Sequence, residues 1–133
     1  MTPETVTPFP KVLVVDDDAL VRRSTRLLLE SCGFQVVTLD RGDAALDTAR
    51  REQPDVLLLD VMMPDVDGWE TLSRLHADPE TSGIPVVIFT AREHARGRRL
   101  ARELGAVDYV QKPFEAQAFV DLLHDYAARR RDA

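Results

Sequence analysis

Four short apolar runs in this chain each end in a residue that phosphoryl-transfer chemistry can use. VLVV precedes Asp16-Asp17-Asp18, DVLLL precedes Asp60, IPVVIF precedes Thr90 and DYVQ precedes Lys112. Taken singly, each has a plain structural use. An aspartate after a strand caps a helix, Asp60 before Pro64 and Gly68 starts a turn, Thr90 is a strand former or cap, and Lys112-Pro113 is a loop. A cap accounts for one aspartate or two, but three in a row are harder to place. Like charges ~4 Å apart repel by roughly 4 kcal/mol at an intermediate effective dielectric, and a hard divalent cation with oxygen ligands relieves that repulsion. A carboxylate such as Asp60, beside other carboxylates and a cation, can attack phosphorus and form an acyl phosphate. The cation and the Lys112 ammonium would neutralise phosphoryl oxygens, and Thr90 would donate a hydrogen bond. Positioning and charge stabilisation are most of what phosphoryl transfer requires.

These residues converge only if the four runs are strands of one sheet. Runs of four to six residues rich in Val, Ile and Leu read as strands buried on both faces, as in parallel sheets. Strands are expected at 11–16, 34–39, 55–59, 84–89 and 107–111. Helices are expected at 19–32, from 40–43 to before Pro54, from Trp69, at 93–104 and at 115–129. Asp17 or Asp18 caps the first helix, and Gly33 closes it. Its inward face reads as Leu20, Ser24, Leu27, Leu28 and Ser31. Trp69, Leu72 and Leu75 form the stripe of the third helix; Phe119, Leu122, Leu123 and Tyr126 form that of the fifth. Residues 62–68 form a loop. Five strand–helix units imply an α/β fold, a doubly wound five-stranded parallel sheet with right-handed crossovers. Ligands of such sheets sit beyond the carboxyl ends of the strands, which is where the four chemical residues fall.

The chain of 133 residues, 44% hydrophobic, suits one domain with a single core. Residues 1–10 read as a flexible tail, 11–128 as the domain, and 129–133, with Arg129-Arg130-Arg131, as a fraying helix end or the start of a linker. Apolar runs of about five residues are far short of the ~20 that span a bilayer. The opening MTPETVTPFP has neither the basic nor the apolar region of a signal peptide. With Cys32 alone there is no internal disulfide, so a cytoplasmic location is expected. A net charge of −6 argues against direct binding to nucleic acid or membrane. Of 17 basic residues only Lys11 and Lys112 are lysine. Lys112 thus places a compact point charge, rather than a planar fork, at a strand end.

The motifs VLVVDDD, DVLLLDVMMPDVDGWE, VVIFTA and GAVDYVQKPF, in this order and spacing, resemble the receiver (CheY-like) domain of bacterial two-component response regulators over about residues 11–128. The resemblance implies a flavodoxin-like (βα)5 fold with strand order 2-1-3-4-5. It implies a signalling phosphoacceptor rather than an enzyme, phosphorylated on Asp60 in a Mg²⁺-dependent reaction, with Mn²⁺ as a substitute. Asp17 would ligate the metal directly and Asp16 mainly through water, with Asp60 and the Met62 backbone carbonyl completing the protein ligands. Thr90 and Tyr109 resemble the switch pair, and Lys112 would hold a phosphoryl oxygen. The Lys112–Pro113 peptide would be cis, and Asp18 would be left as the helix cap. The implied partners are a sensor histidine kinase or histidine phosphotransfer protein and a downstream protein target. Arg96, Arg98, Arg99 and Arg102 on helix four, with Glu115, Asp121 and Asp125 on helix five, suggest a phosphorylation-dependent homodimer through opposite patches. Two positions that the resemblance links to dephosphorylation are Met62, which cannot orient a water, and Arg92, which could shield the site. Both point to a long-lived phosphoryl group.

Three other readings stay open here. Asp16-Asp17-Asp18 contains the D-x-D of haloacid-dehalogenase-type phosphatases, but Leu20 stands where they want Thr or Val, and Asp60 would have no role. A flavodoxin-like cofactor binder would want Ser, Thr and Gly after strand one, where three aspartates repel phosphate. A receiver-shaped interaction module that is never phosphorylated would not need the intact set of acids, Thr90 and Lys112.

Overall fold

The alternating pattern folds as strand–helix units in the order β1 (Lys11–Val15), α1 (Ala19–Ser31), β2 (Gln35–Leu39), a 3₁₀ turn (Gly42–Ala44), α2 (Ala45–Glu52), β3 (Val56–Leu59), α3 (Gly68–Ala77), β4 (Val86–Thr90), α4 (Ala95–Glu103), β5 (Asp108–Gln111) and α5 (Ala116–Asp132). This is a computed structural model, and it describes residues 9–62, 68–91 and 95–132, the side chains of 95 and 96 excepted. Residues 1–8 of the expected tail at 1–10, residues 63–67 of the expected loop at 62–68, Arg92 and the side chain of Arg96 lie outside the described residues. All five strands are parallel in the order β2-β1-β3-β4-β5. This is the expected flavodoxin-like (βα)5 arrangement.

Period-2 alternation sends each strand's side chains to two separate cores. Leu13, Val15, Leu57, Leu59, Val86 and Ile88 pack with Ala45 and Ala49 of α2, Leu72 and Leu75 of α3, and Ala101 of α4. Val12, Val14, Val56, Leu58, Val87 and Phe89 pack with Leu29 of α1 and with Phe119, Val120, Leu123 and Ala127 of α5. Both faces are covered, which is why the strands carry so few polar residues.

Three local expectations change. The inward face of α1 is not the one read from its leucines: Leu20 and Leu27 are 69% and 63% exposed. Thr25 and Leu29 are buried, with Val21, Leu28 and Cys32 packed partly beside the core. The true stripe starts one residue later and passes through a threonine, a residue that apolar counting skips. Strand β4 begins at Val86 and includes Thr90 as its last residue. Pro85 has no N–H to give the ladder and contributes only its carbonyl, which accepts from Leu57 N–H at 2.9 Å. Helix α5 continues to Asp132, because Arg130 and Arg131 reach the buried carboxylate of Asp55 at 3.7 and 3.3 Å.

Asp18 caps α1, its Oδ1 accepting from Leu20 N–H at 2.9 Å and Val21 N–H at 3.3 Å. Gly33, at φ 93°, turns the chain out of the helix. Gly68 opens α3 hard against β3's exit, where a Cβ would lie 2.5 Å from the Val61 Cα.

The revised α1 face has a direct test. Leu29→Ala should cost about 2–5 kcal/mol in chemical denaturation, as buried leucine truncations do, whereas Leu27→Ala should stay within about 0.5 kcal/mol. Equal costs would restore the face read from the leucines.

Candidate functional site

The ladder of the sheet runs one residue past the strand ends and carries the chemical residues with it. Asp16 N–H donates to Leu39 O at 3.1 Å, Asp60 N–H to Val15 O at 3.0 Å and Lys112 N–H to Thr90 O at 2.7 Å. Each backbone is therefore fixed by the neighbouring strand, and pleating sets where the side chain goes. Asp16, Asp60 and Lys112 share the parity of Val14, Leu58 and Val110, and so lie on the face covered by α1 and α5. Asp16 and Asp60 end β1 and β3, the adjacent strands between which the winding direction reverses, where ligands of such sheets bind.

Asp16 is fully buried and Asp60 is 6% exposed. Lys112 Nζ joins them, 2.7 Å from Asp16 Oδ2 and 3.3 Å from Asp60 Oδ2. The ammonium lies 4.3 Å from the centroid of the Phe89 ring, a favourable place for a cation. The second carboxylate oxygens are held by backbone: Asp16 Oδ1 accepts from Asp18 N–H at 2.9 Å, and Asp60 Oδ1 from Met62 N–H at 2.8 Å. Asp17 is exposed beside them, and one oxygen from each of Asp16, Asp17 and Asp60 lies within 4.8 Å of the others. One ammonium faces three carboxylates. The cluster keeps excess negative charge, and its donors are all oxygen, a set that suits a hard divalent cation.

Burial pushes the Asp60 carboxyl above its ordinary value. The Met62 N–H and Lys112 pull it down, and Asp16 pushes it further up. An acid that holds its proton more tightly when folded weakens the fold as pH rises through the carboxylate range, and the loss persists above it.

Of the remaining expected site residues, Thr90 and Tyr109 are both buried, at 1% and 7% exposure. Tyr109 pairs with Ile88, two residues before Thr90, so both occupy the face covered by α4. The Lys112–Pro113 peptide is cis. The Met62 side chain is 46% exposed. Three participants escaped the sequence reading. Arg22 Nη1 donates to the Asp16 carbonyl at 2.8 Å, Phe89 underlies Lys112, and Arg98 covers Tyr109. Arg22 lies one turn after the Asp18 cap, a spacing that returns its side chain to the loop. The other two depend on contacts between elements and leave no sequence signal.

A (βα)5 sheet with an acidic cluster and a lysine at its switch point fits the receiver family, a class of signalling phosphoacceptor modules rather than catalytic enzymes. The sequence model of the response regulator receiver domain matches residues 12–124, and the chain belongs to that family. It is 41% identical over 104 residues to the probable transcriptional regulator ycf27 of Guillardia theta, covering 78% of this chain and 40% of that protein. It is 32% identical over 114 residues to protein PilH of Pseudomonas aeruginosa, covering 86% of this chain and 94% of PilH. Its fold matches the BeF3-activated N-terminal receiver domain of RstA from Klebsiella pneumoniae at TM-score 0.81 and 30% identity, over 88% of this chain and 97% of that one. The chain spans well under half the length of ycf27. No helix among the described residues is long and apolar enough to cross a membrane.

Removing one buried charge should relieve the cluster. Asp60→Asn is expected to raise the thermal midpoint by a few degrees at neutral pH without divalent cation. The gap should shrink with added Mg²⁺ and as pH falls through the carboxylate range. A midpoint that is lower or unchanged at neutral pH contradicts this electrostatic account.

Proposed function

We propose that Asp60 accepts a phosphoryl group from a histidine kinase or histidine phosphotransfer protein and that the domain, residues 11–128, signals through the surface of α4, β5 and α5. The observation that carries this reading is the Lys112 ammonium between two buried carboxylates, which joins residues far apart in sequence at one sheet edge. An Asp60 oxygen forms the new bond to phosphorus as the donor's P–N bond breaks and the imidazole nitrogen leaves with the electron pair. Asp60 Oδ1 is oriented by the Met62 N–H, and Lys112 lies close enough to Oδ2 to follow the transferred group. Mg²⁺, or Mn²⁺ in its place, would be held by Asp16, Asp17, Asp60 and the Met62 carbonyl and would supply positive charge to the phosphoryl oxygens. Asp16, walled in and bonded to Lys112, would act mainly through water, and exposed Asp17 directly.

Thr90 takes the role of hydrogen-bond donor to the phosphoryl group, with Tyr109 as the aromatic that responds on the same face. The exposed, apolar Met62 side chain offers no group to orient an attacking water, which supports a slowly hydrolysing acyl phosphate. Pairing of two copies through α4 and α5 is favoured by Arg99 and Arg102, which are exposed and have no ion pair among the described residues. On α5, Asp125 pairs with Arg129 at 2.7 Å and Asp121 accepts from Gln117 at 2.9 Å. Those acids would exchange partners rather than gain them, and exposed pairs contribute only ~0–1 kcal/mol each.

Intact mass after incubation with Mg²⁺ and acetyl phosphate tests the acceptor. The expected result is one added phosphoryl group in wild type, none in Asp60→Asn and none with EDTA. No adduct, even with a histidine kinase supplied, would favour an interaction module that works without phosphorylation.

A further inference from the structure

Tyr109 is almost fully buried, and a long side chain from the neighbouring helix lies against its ring. The Arg98 guanidinium on α4 lies over that ring, with Cζ 4.8 Å from its centroid. Arg98 Nη1 also donates to the Tyr109 carbonyl at 3.3 Å. One side chain thus grips both the ring and the backbone of the same residue. A planar guanidinium can do both at once, stacking through its face while donating from its edge. Beside the pair is a cavity of about 120 Å³, lined by Arg98, Ala101, Ala106, Val107 and Tyr109 among others. The two small alanines leave this space beside the ring.

We propose that Arg98 is a positioning residue for the switch: its guanidinium latches Tyr109 in the buried orientation and ties the position of α4 to that of the ring. This rests on the reading of Thr90 and Tyr109 as the switch beside Asp60. Under that reading, a group that stabilises buried Tyr109 also favours whatever binds Asp60 in the same state, because coupling between two sites is reciprocal. Arg98 is assigned a role through Tyr109, whose ring and carbonyl it contacts, rather than on the acidic cluster.

The protein has two tyrosines, Tyr109 and Tyr126. Incorporated 3-fluorotyrosine therefore gives two fluorine resonances, assigned by Tyr126→Phe. Arg98→Met keeps the length and apolar cover of the side chain and removes the guanidinium; Arg98→Lys keeps the charge and loses the planar fork. Arg98→Met should move the Tyr109 resonance toward that of free fluorotyrosine. It should also raise the beryllofluoride concentration for half-saturation, with Mg²⁺ present, by about three- to tenfold. Arg98→Lys should fall between wild type and Arg98→Met in both. A Tyr109 resonance unmoved in Arg98→Met overturns the latch, and a moved resonance with unchanged beryllofluoride affinity overturns its role in the switch. Failure of wild type itself to bind beryllofluoride would instead refute the acceptor reading of Asp60, and the fluorine shift would still decide the latch.

Discussion

The structure depends on one electrostatic balance: two carboxylates, Asp16 and Asp60, are withdrawn from water at the end of a parallel sheet and share a single ammonium, that of Lys112. A buried charge is tolerated only with a partner and hydrogen bonds. Here the backbone N–H groups of Asp18 and Met62 take the carboxylate oxygens that Lys112 does not. The balance is still incomplete, since Asp17 adds a third negative charge at the rim. That deficit makes the all-oxygen cluster compatible with a divalent cation.

The rest of the fold holds those charges in place. Paired backbones one residue beyond β1, β3 and β5 fix Asp16, Asp60 and Lys112 more tightly than a free loop would. Two separate cores, one under α1 and α5 and one under α2, α3 and α4, make the sheet a rigid partition between two jobs. The chemistry sits on the face of α1 and α5, with Phe89 beneath Lys112. Thr90 and Tyr109 lie on the opposite face, under α4. Thr90 ends its strand at the same edge as the acids, so an event at Asp60 has a short physical route to the α4 side.

Much of this was legible in the sequence because it rests on local pattern. Branched apolar runs bounded by turn residues placed all five strands to within two residues, and the end of each chemical run located Asp16, Asp60, Thr90 and Lys112 at the sheet edge. A cap at Asp17 or Asp18 followed from their place before the first helix, and the structure puts it at Asp18. What escaped depends on tertiary neighbours. The face of α1 was misread because burial there runs through Thr25, which the sheet selects and hydropathy does not. The extra turn of α5 exists because Arg130 and Arg131 meet Asp55, about 75 residues away in sequence. Arg98 over Tyr109 and Phe89 beneath Lys112 are likewise contacts between elements, with no spacing rule to announce them.

The most direct test of the central claim, that the strand-end carboxylates form one cation site beside Asp60, is a calorimetric titration of Mg²⁺ into wild type and Asp17→Asn. Asp17 is exposed, so its replacement leaves the core intact and removes only the rim carboxylate. The account predicts a single saturable site in wild type and binding weakened about tenfold or more in Asp17→Asn, in line with loss of one ionised oxygen ligand. Identical isotherms, or no saturable binding in wild type, would contradict it.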